Sequence, residues 1–159
     1  MKTSTLYQEN IFKSEQSQNA LDIIDFYNEA TEDYEFWSKD FNMHFGYFSP
    51  FKSSLFKRDS MLNEMNRQVL DRLKLNDKKS LLADLGCGMG GTMRYALNHY
   101  KNLATLGVTL SGFQLNEGNK LLSKLNGAIL KENFNNTSLP SNSFDGAVAI
   151  ESFCHSGHS

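Results

Sequence analysis

Two cysteines in 159 residues are too few for a disulfide framework, and Cys87 and Cys154 as lone thiols fit a reducing compartment. Neither sign of charge dominates. Sixteen Lys and Arg stand against 18 Asp and Glu, a net charge of −2, with both signs interspersed. No basic stripe offers itself to a phosphate backbone, so nucleic acid is not expected as a partner. Long apolar runs are missing too. The stretch from Met1 to Asn10 has no signal-peptide core and no segment is long enough to span a membrane, so the expectation is a cytoplasmic protein without an integral membrane segment. There is no internal repeat and no second domain, and a globular chain of this length buries about two-thirds of its unfolded surface in one core. Cys154, His155 and His158 have no further ligand near them, so no metal centre is expected.

What the chain does have is a glycine cluster behind an apolar run. Ser80-Leu81-Leu82-Ala83-Asp84-Leu85 leads into Gly86-Cys87-Gly88-Met89-Gly90-Gly91-Thr92, and helical spacing follows at Met93, Ala96, Leu97 and Tyr100. This predicts a strand, a tight turn and a helix, with a backbone that a ligand can approach without meeting a Cβ. Gly86, Gly88 and Gly91 satisfy G-x-G-x-x-G, a spacing that a plain turn also produces. Asp84 discriminates between ligands. A dinucleotide brings pyrophosphate to the helix N-terminus, where a carboxylate two residues before the first glycine repels it. An acid there suits a cation, or else caps the loop amides. The carboxylate that a dinucleotide site places about 20 residues further on, for the ribose hydroxyls, is absent as well.

Along the chain, residues 1–19 are rich in Ser, Gln, Asn and Lys and are expected to form a disordered arm. Residues 20–58 read as a lid. Leu21, Ile24, Tyr27 or Phe26, and Ala30, then Tyr34 and Trp37, keep helical spacing broken near Thr31, and the aromatics from Phe26 to Phe48 are too dense for a linker. Residues 59–159 read as one α/β unit. Leu62, Met65, Val69 and Leu73 predict a helix across 60–75, and Leu103 to Val108 a strand. Ser111 with Gln114 is a capping box for a helix that runs to Asn126-Gly127. Ala128 to Leu130 and Phe144 to Ile150 complete four strands. Strands and helices in this alternation form a parallel sheet with right-handed crossovers, and such sheets bind ligands outside the carboxyl ends of the strands, where strand order reverses.

The run D-x-G-x-G-x-G from Asp84 to Gly90 resembles the first motif of class I S-adenosylmethionine-dependent methyltransferases. Gly107-Val108-Thr109-Leu110-Ser111 with Gln114 is similar to the second strand of those acting on lipids and isoprenoids. Phe144-Asp145 with Ala149-Ile150-Glu151-Ser152-Phe153-Cys154-His155-Ser156 resembles the fourth-strand motif of sterol C-methyltransferases. Tyr27, Asn28, Thr31, Tyr34, Glu35, Phe36, His44 and Phe45 match an aromatic segment of the same enzymes. The resemblance covers about residues 21–156. It implies a Rossmann-like fold, S-adenosylmethionine as cofactor, and a small, apolar or isoprenoid-like acceptor. Asp84 would face the methionine end, Gly86, Cys87, Gly88 and Gly90 would bind the cofactor, and Thr109, Leu110 and Gln114 would lie beside the ribose. Asn133 and Phe134 stand at the adenine, where the family usually has Asp before an aromatic. Glu151, partly buried among the rings, and His155 are the implied candidates for proton removal or cation stabilisation. Tyr27, Tyr34, Trp37 and Phe45 would wall the acceptor. Gln114 as a helix cap and His155 as a loop anchor are the competing roles. Because family domains continue through a further helix, a fifth strand and a hairpin, the resemblance implies a C-terminally truncated domain, weak or inactive alone, with an open fourth strand available for self-association. A fragment of an NAD(P)-dependent oxidoreductase and a non-catalytic remnant acting through protein contacts are the alternatives.

Overall fold

The computed structural model describes residues 38, 41–50, 58–75 and 78–156. The arm at 1–19 and the lid residues Tyr27, Tyr34 and Trp37 lie outside them. In helix α1 (Arg58–Leu70) the deeply buried stripe is Leu62, Asn66 and Leu70, with Glu64 beside it; positions four apart share one helix face. That corrects the expected stripe, since Met65, Val69 and Leu73 are only half-buried. The helix also stops short of residue 75. Asp71–Leu73 tightens into a 3-10 turn, and Lys74 follows in the left-handed region at φ 51°.

Strand β1 (Ser80–Leu85), helix α2 (Gly91–His99), strand β2 (Leu103–Thr109), helix α3 (Gly112–Leu122) and strands β3 (Gly127–Lys131) and β4 (Gly146–Val148) complete the elements. The sheet is parallel throughout, in the order β3-β2-β1-β4. Order therefore reverses at β1, the strand that feeds the glycine loop, which is where an open α/β sheet forms its crevice. Two apolar clusters hold the layers together. Leu70, Leu82, Ala96, Leu103 and Val148 join α1 and α2 to the sheet, and Met93, Leu122 and Ile129 join α2 and α3 to β3.

Two further elements are shorter than expected. Helix α3 ends at Leu122 because its last turn tightens: Ser123 N–H bonds Lys120 O and Leu125 N–H bonds Leu122 O, each three residues back. Strand β4 pairs only along Leu82 to Asp84 of β1. The chain then leaves the strand direction and reaches Glu151 at φ 55°.

Candidate functional site

The carboxyl ends of β1 and β2, the first turn of α2, the loop after β3 and the segment 41–44 enclose one cavity. Asp84 lines it from the end of β1 and is 3% exposed. Burial pushes its carboxyl up to about 7, because a charge is disfavoured away from water. No hydrogen bond reaches this carboxylate among the described residues, so the loop-capping role weighed for it is not seen. The Cys87 thiol, also on the cavity wall, is raised well above its ordinary value by burial first and by the Asp84 charge second.

Gly86 is required by geometry. Its φ is +80°, and a Cβ there would lie 2.4 Å from Ser152 Cβ, whose hydroxyl bonds Leu85 O. Gly88 and Gly91 line the cavity. Gly90 does not belong to that wall. It is the left-handed N-cap of α2, and its open side faces Ile129, Met93 and Leu122 in the core.

Thr109, Leu110 and Gln114 line the cavity too. Ser111 Oγ accepts the Gln114 N–H at 3.2 Å, so the N-cap is made, but the reciprocal half of the capping box is not. Ser111 N–H turns instead to Thr109 Oγ1 at 3.3 Å. The Gln114 side chain is thereby left in the cavity, where Oε1 accepts from Thr109 Oγ1 at 2.6 Å and Nε2 donates to Met43 Sδ at 3.7 Å. The two roles of Gln114 are divided between its backbone and its side chain.

Asn133 and Phe134 also line the site. Asn133 Oδ1 already accepts the Asn135 N–H at 2.9 Å, leaving one lone pair for a ligand. The Phe134 ring stacks on Phe153, with centroids 6.3 Å apart. Glu151 departs from the expected burial. It lines the mouth but is exposed, and its Oε1 accepts the Phe45 N–H at 2.8 Å. Phe45 itself is 71% exposed and lies outside the lining. His155 sits in the single turn Phe153–His155, and its side chain lies outside what is described.

The wall contains residues that sequence reasoning passed over. Asn42, Met43 and Thr92 line the cavity with His44, and behind them Asn66 ties the wall together. The one signal for Asn66 was a polar residue midway between Leu62 and Leu70 on an apolar stripe.

Comparison with known proteins follows this geometry. A family model described as "Mycolic acid cyclopropane synthetase" matches residues 16–159. The 24-methylenesterol C-methyltransferase 3 of Arabidopsis thaliana is 34% identical over 148 residues, covering 89% of this chain and 39% of that protein. A mycolic acid cyclopropane synthase solved with SAH and CTAB superposes with a TM-score of 0.66 at 26% identity, over 76% of this chain and 41% of that one. The geranyl diphosphate C-methyltransferase of Streptomyces coelicolor A3(2), at 18% identity and a TM-score of 0.68 over 82% of this chain and 54% of that one, shares the fold. The chain spans about two-fifths of the length of the curated relatives it matches.

Proposed function

The chain belongs to the mycolic acid cyclopropane synthetase family, and from that membership we propose that its cavity holds S-adenosylmethionine for methyl transfer to a small, apolar, isoprenoid-like acceptor. The observation that carries this reading is Asp84, a buried carboxylate without a hydrogen bond among the described residues, on the wall of a glycine-lined cavity. Such a group is costly unless a cation joins it. The ammonium of a methionyl end is a cation of the right kind, whereas a pyrophosphate is repelled. The glycine loop permits close approach, and the names of the relatives, sterol and geranyl diphosphate C-methyltransferases among them, support both cofactor and acceptor class.

When bound, S-adenosylmethionine supplies an electrophilic methyl on a sulfonium. The residues present here bind and orient. Asp84 would hold the ammonium, Gln114 and Thr109 would offer polar groups to the ribose, and Asn133 and Phe134 would serve the adenine. Holding acceptor and methyl in line contributes up to about 7 to 11 kcal/mol of barrier reduction. Glu151 and His155 are our candidates for taking a proton or stabilising positive charge, with Tyr27, Tyr34, Trp37 and Phe45 against the acceptor. Phe45 and Glu151 stand open to solvent, so turnover by this chain alone is expected to be slow. The free thiols of Cys87 and Cys154 fit a reducing cytoplasm, and no described helix is long and apolar enough to cross a membrane.

One observation favours self-association as a second property. Asn119 closes the β3 edge with its amide, donating to Ile129 O at 3.0 Å and accepting from Ile129 N–H at 2.9 Å. Strand β4 is the other edge of the sheet among the described residues, and an edge strand left without such a cover pairs with another strand. Calorimetry with S-adenosylhomocysteine on the wild type and on Asp84→Ala tests the main reading. Equal affinity in the two proteins would remove Asp84 from the site.

A further inference from the structure

Asn66 is a buried polar residue that the proposed function does not use. It has no exposed surface, lies between Leu62 and Leu70 on α1, and is not part of the cavity wall. Its amide reaches three residues that are. Oδ1 accepts from Thr92 Oγ1 at 2.8 Å and faces His44 Nε2 at 2.9 Å, while Nδ2 donates to Asn42 Oδ1 at 3.0 Å. Thr92 belongs to the first turn of α2, and Asn42 and His44 belong to the segment 41–47, which crosses the glycine loop as a strap. Contact between strap and loop is direct. A Cβ on Gly91 would stand 2.6 Å from Asn42 Oδ1.

Other ties hold the strap as well, among them Asn42 N–H to Ser38 Oγ at 3.3 Å. Phe45 N–H bonds Glu151, Tyr47 N–H bonds Met61 O at 2.9 Å, and Gln114 reaches Met43 Sδ. The Glu151 bond is open to water and the Met43 contact is long. The Asn66 bonds lie out of water, where hydrogen bonds are electrostatically strongest and a broken one is most unfavourable.

We propose that Asn66 is a positioning residue that holds the strap on the glycine loop and thereby sets how long a ligand stays in the cavity. The second half of this inference rests on the cofactor reading above. Phe41, Asn42, Met43 and His44 line the cavity together with Asp84 and the loop glycines. A ligand in this cavity leaves when the strap lifts off the loop, and lifting breaks the Asn66 bonds. Loosening this contact increases the dissociation rate without lowering the association rate. Damage to the fold alone reduces the amount of competent protein and leaves the dissociation rate of what remains unchanged.

The test uses the full chain with Asn66→Leu, of similar shape but without polar atoms, and Asn66→Asp. Amide hydrogen exchange is measured on the ligand-free proteins, and release of S-adenosylhomocysteine by stopped flow. In Asn66→Leu, exchange at Asn42, Phe45 and Tyr47 is expected to accelerate about tenfold or more while β1 and β2 amides keep their protection. S-adenosylhomocysteine release should accelerate by a similar factor. Asn66→Asp should restore slow exchange. Its carboxyl still accepts from Thr92 Oγ1, and Asn42, whose Nδ2 has no partner among the described residues, can turn its amide to donate. Unchanged strap exchange in Asn66→Leu, or equal acceleration throughout the chain, overturns the proposal, as does faster strap exchange with unaltered ligand release. If Asn66→Leu does not fold, Thr92→Val removes one bond of the same network and is read in the same way. A wild type that does not bind S-adenosylhomocysteine refutes the cofactor reading instead, and the ligand-free exchange still decides the role of Asn66 in the strap.

Discussion

Replacing Asp84 by Asn should stabilise the ligand-free protein above neutral pH while weakening the site. The carboxyl titrates near 7 in the folded chain against an ordinary value of 3.8, so the folded state keeps its proton longer than the unfolded state. Between those limits the unfolded state binds fewer protons, and stability falls as pH rises. The loss is complete once pH passes the folded value. At 1.36 kcal/mol per pH unit the gap corresponds to about 4 kcal/mol, on the order of a third or more of a typical domain's stability. Asn has nearly the same shape and never ionises. Urea unfolding of wild type and Asp84→Asn from pH 4 to 9 should therefore give equal stabilities near pH 4 and a growing advantage for the variant up to about pH 7, constant above it. Parallel curves, or a less stable variant at pH 8, would refute the claim that Asp84 is buried without a partner among the described residues.

The same titration predicts that affinity for S-adenosylhomocysteine falls up to about tenfold per pH unit below 7 and levels off above it, since the ammonium prefers the ionised acid; calorimetry on Asp84→Asn should show weak, pH-independent binding. Gly86→Ala should lose both binding and stability, because its φ is +80° and its Cβ would strike Ser152; a melting temperature unchanged from wild type would contradict the geometry. Glu151→Gln keeps an oxygen to accept the Phe45 N–H whereas Glu151→Ala does not, so only the alanine variant should speed exchange at Phe45. If Glu151 stabilises developing charge, Glu151→Gln in a catalytically active form should lower kcat with cofactor affinity preserved, and an unchanged kcat removes it from that role.

Much of the fold was legible because its signals are local. The apolar run before Asp84 and the glycines after it specify a strand and turn, and Ser111 stands where a helix must be capped. Helix ends were less legible, since the choice between a final α turn and a 3-10 turn at Asp71–Leu73 or Ser123 involves small energies that tertiary packing decides. The length of β4 depends on side chains distant in sequence from β1, since Asp145 takes the Leu81 N–H and Ser152 the Leu85 carbonyl on either side of the three paired residues. On the site, Asp84 and the glycine loop were readable from spacing. Asn42, Thr92 and Asn66 were not, because each has meaning only through a contact 24 or 26 residues away in sequence. Gly90 shows the limit of motif transfer: it satisfies the motif yet faces the core.

The central claim, that this cavity is built for a cationic adenosyl cofactor, is tested most directly by titrating the wild-type chain at pH 8 with S-adenosylhomocysteine and, separately, with NAD in the calorimeter. Saturable one-to-one binding of S-adenosylhomocysteine with no heat from NAD is the predicted result, and binding of NAD without binding of S-adenosylhomocysteine would contradict it.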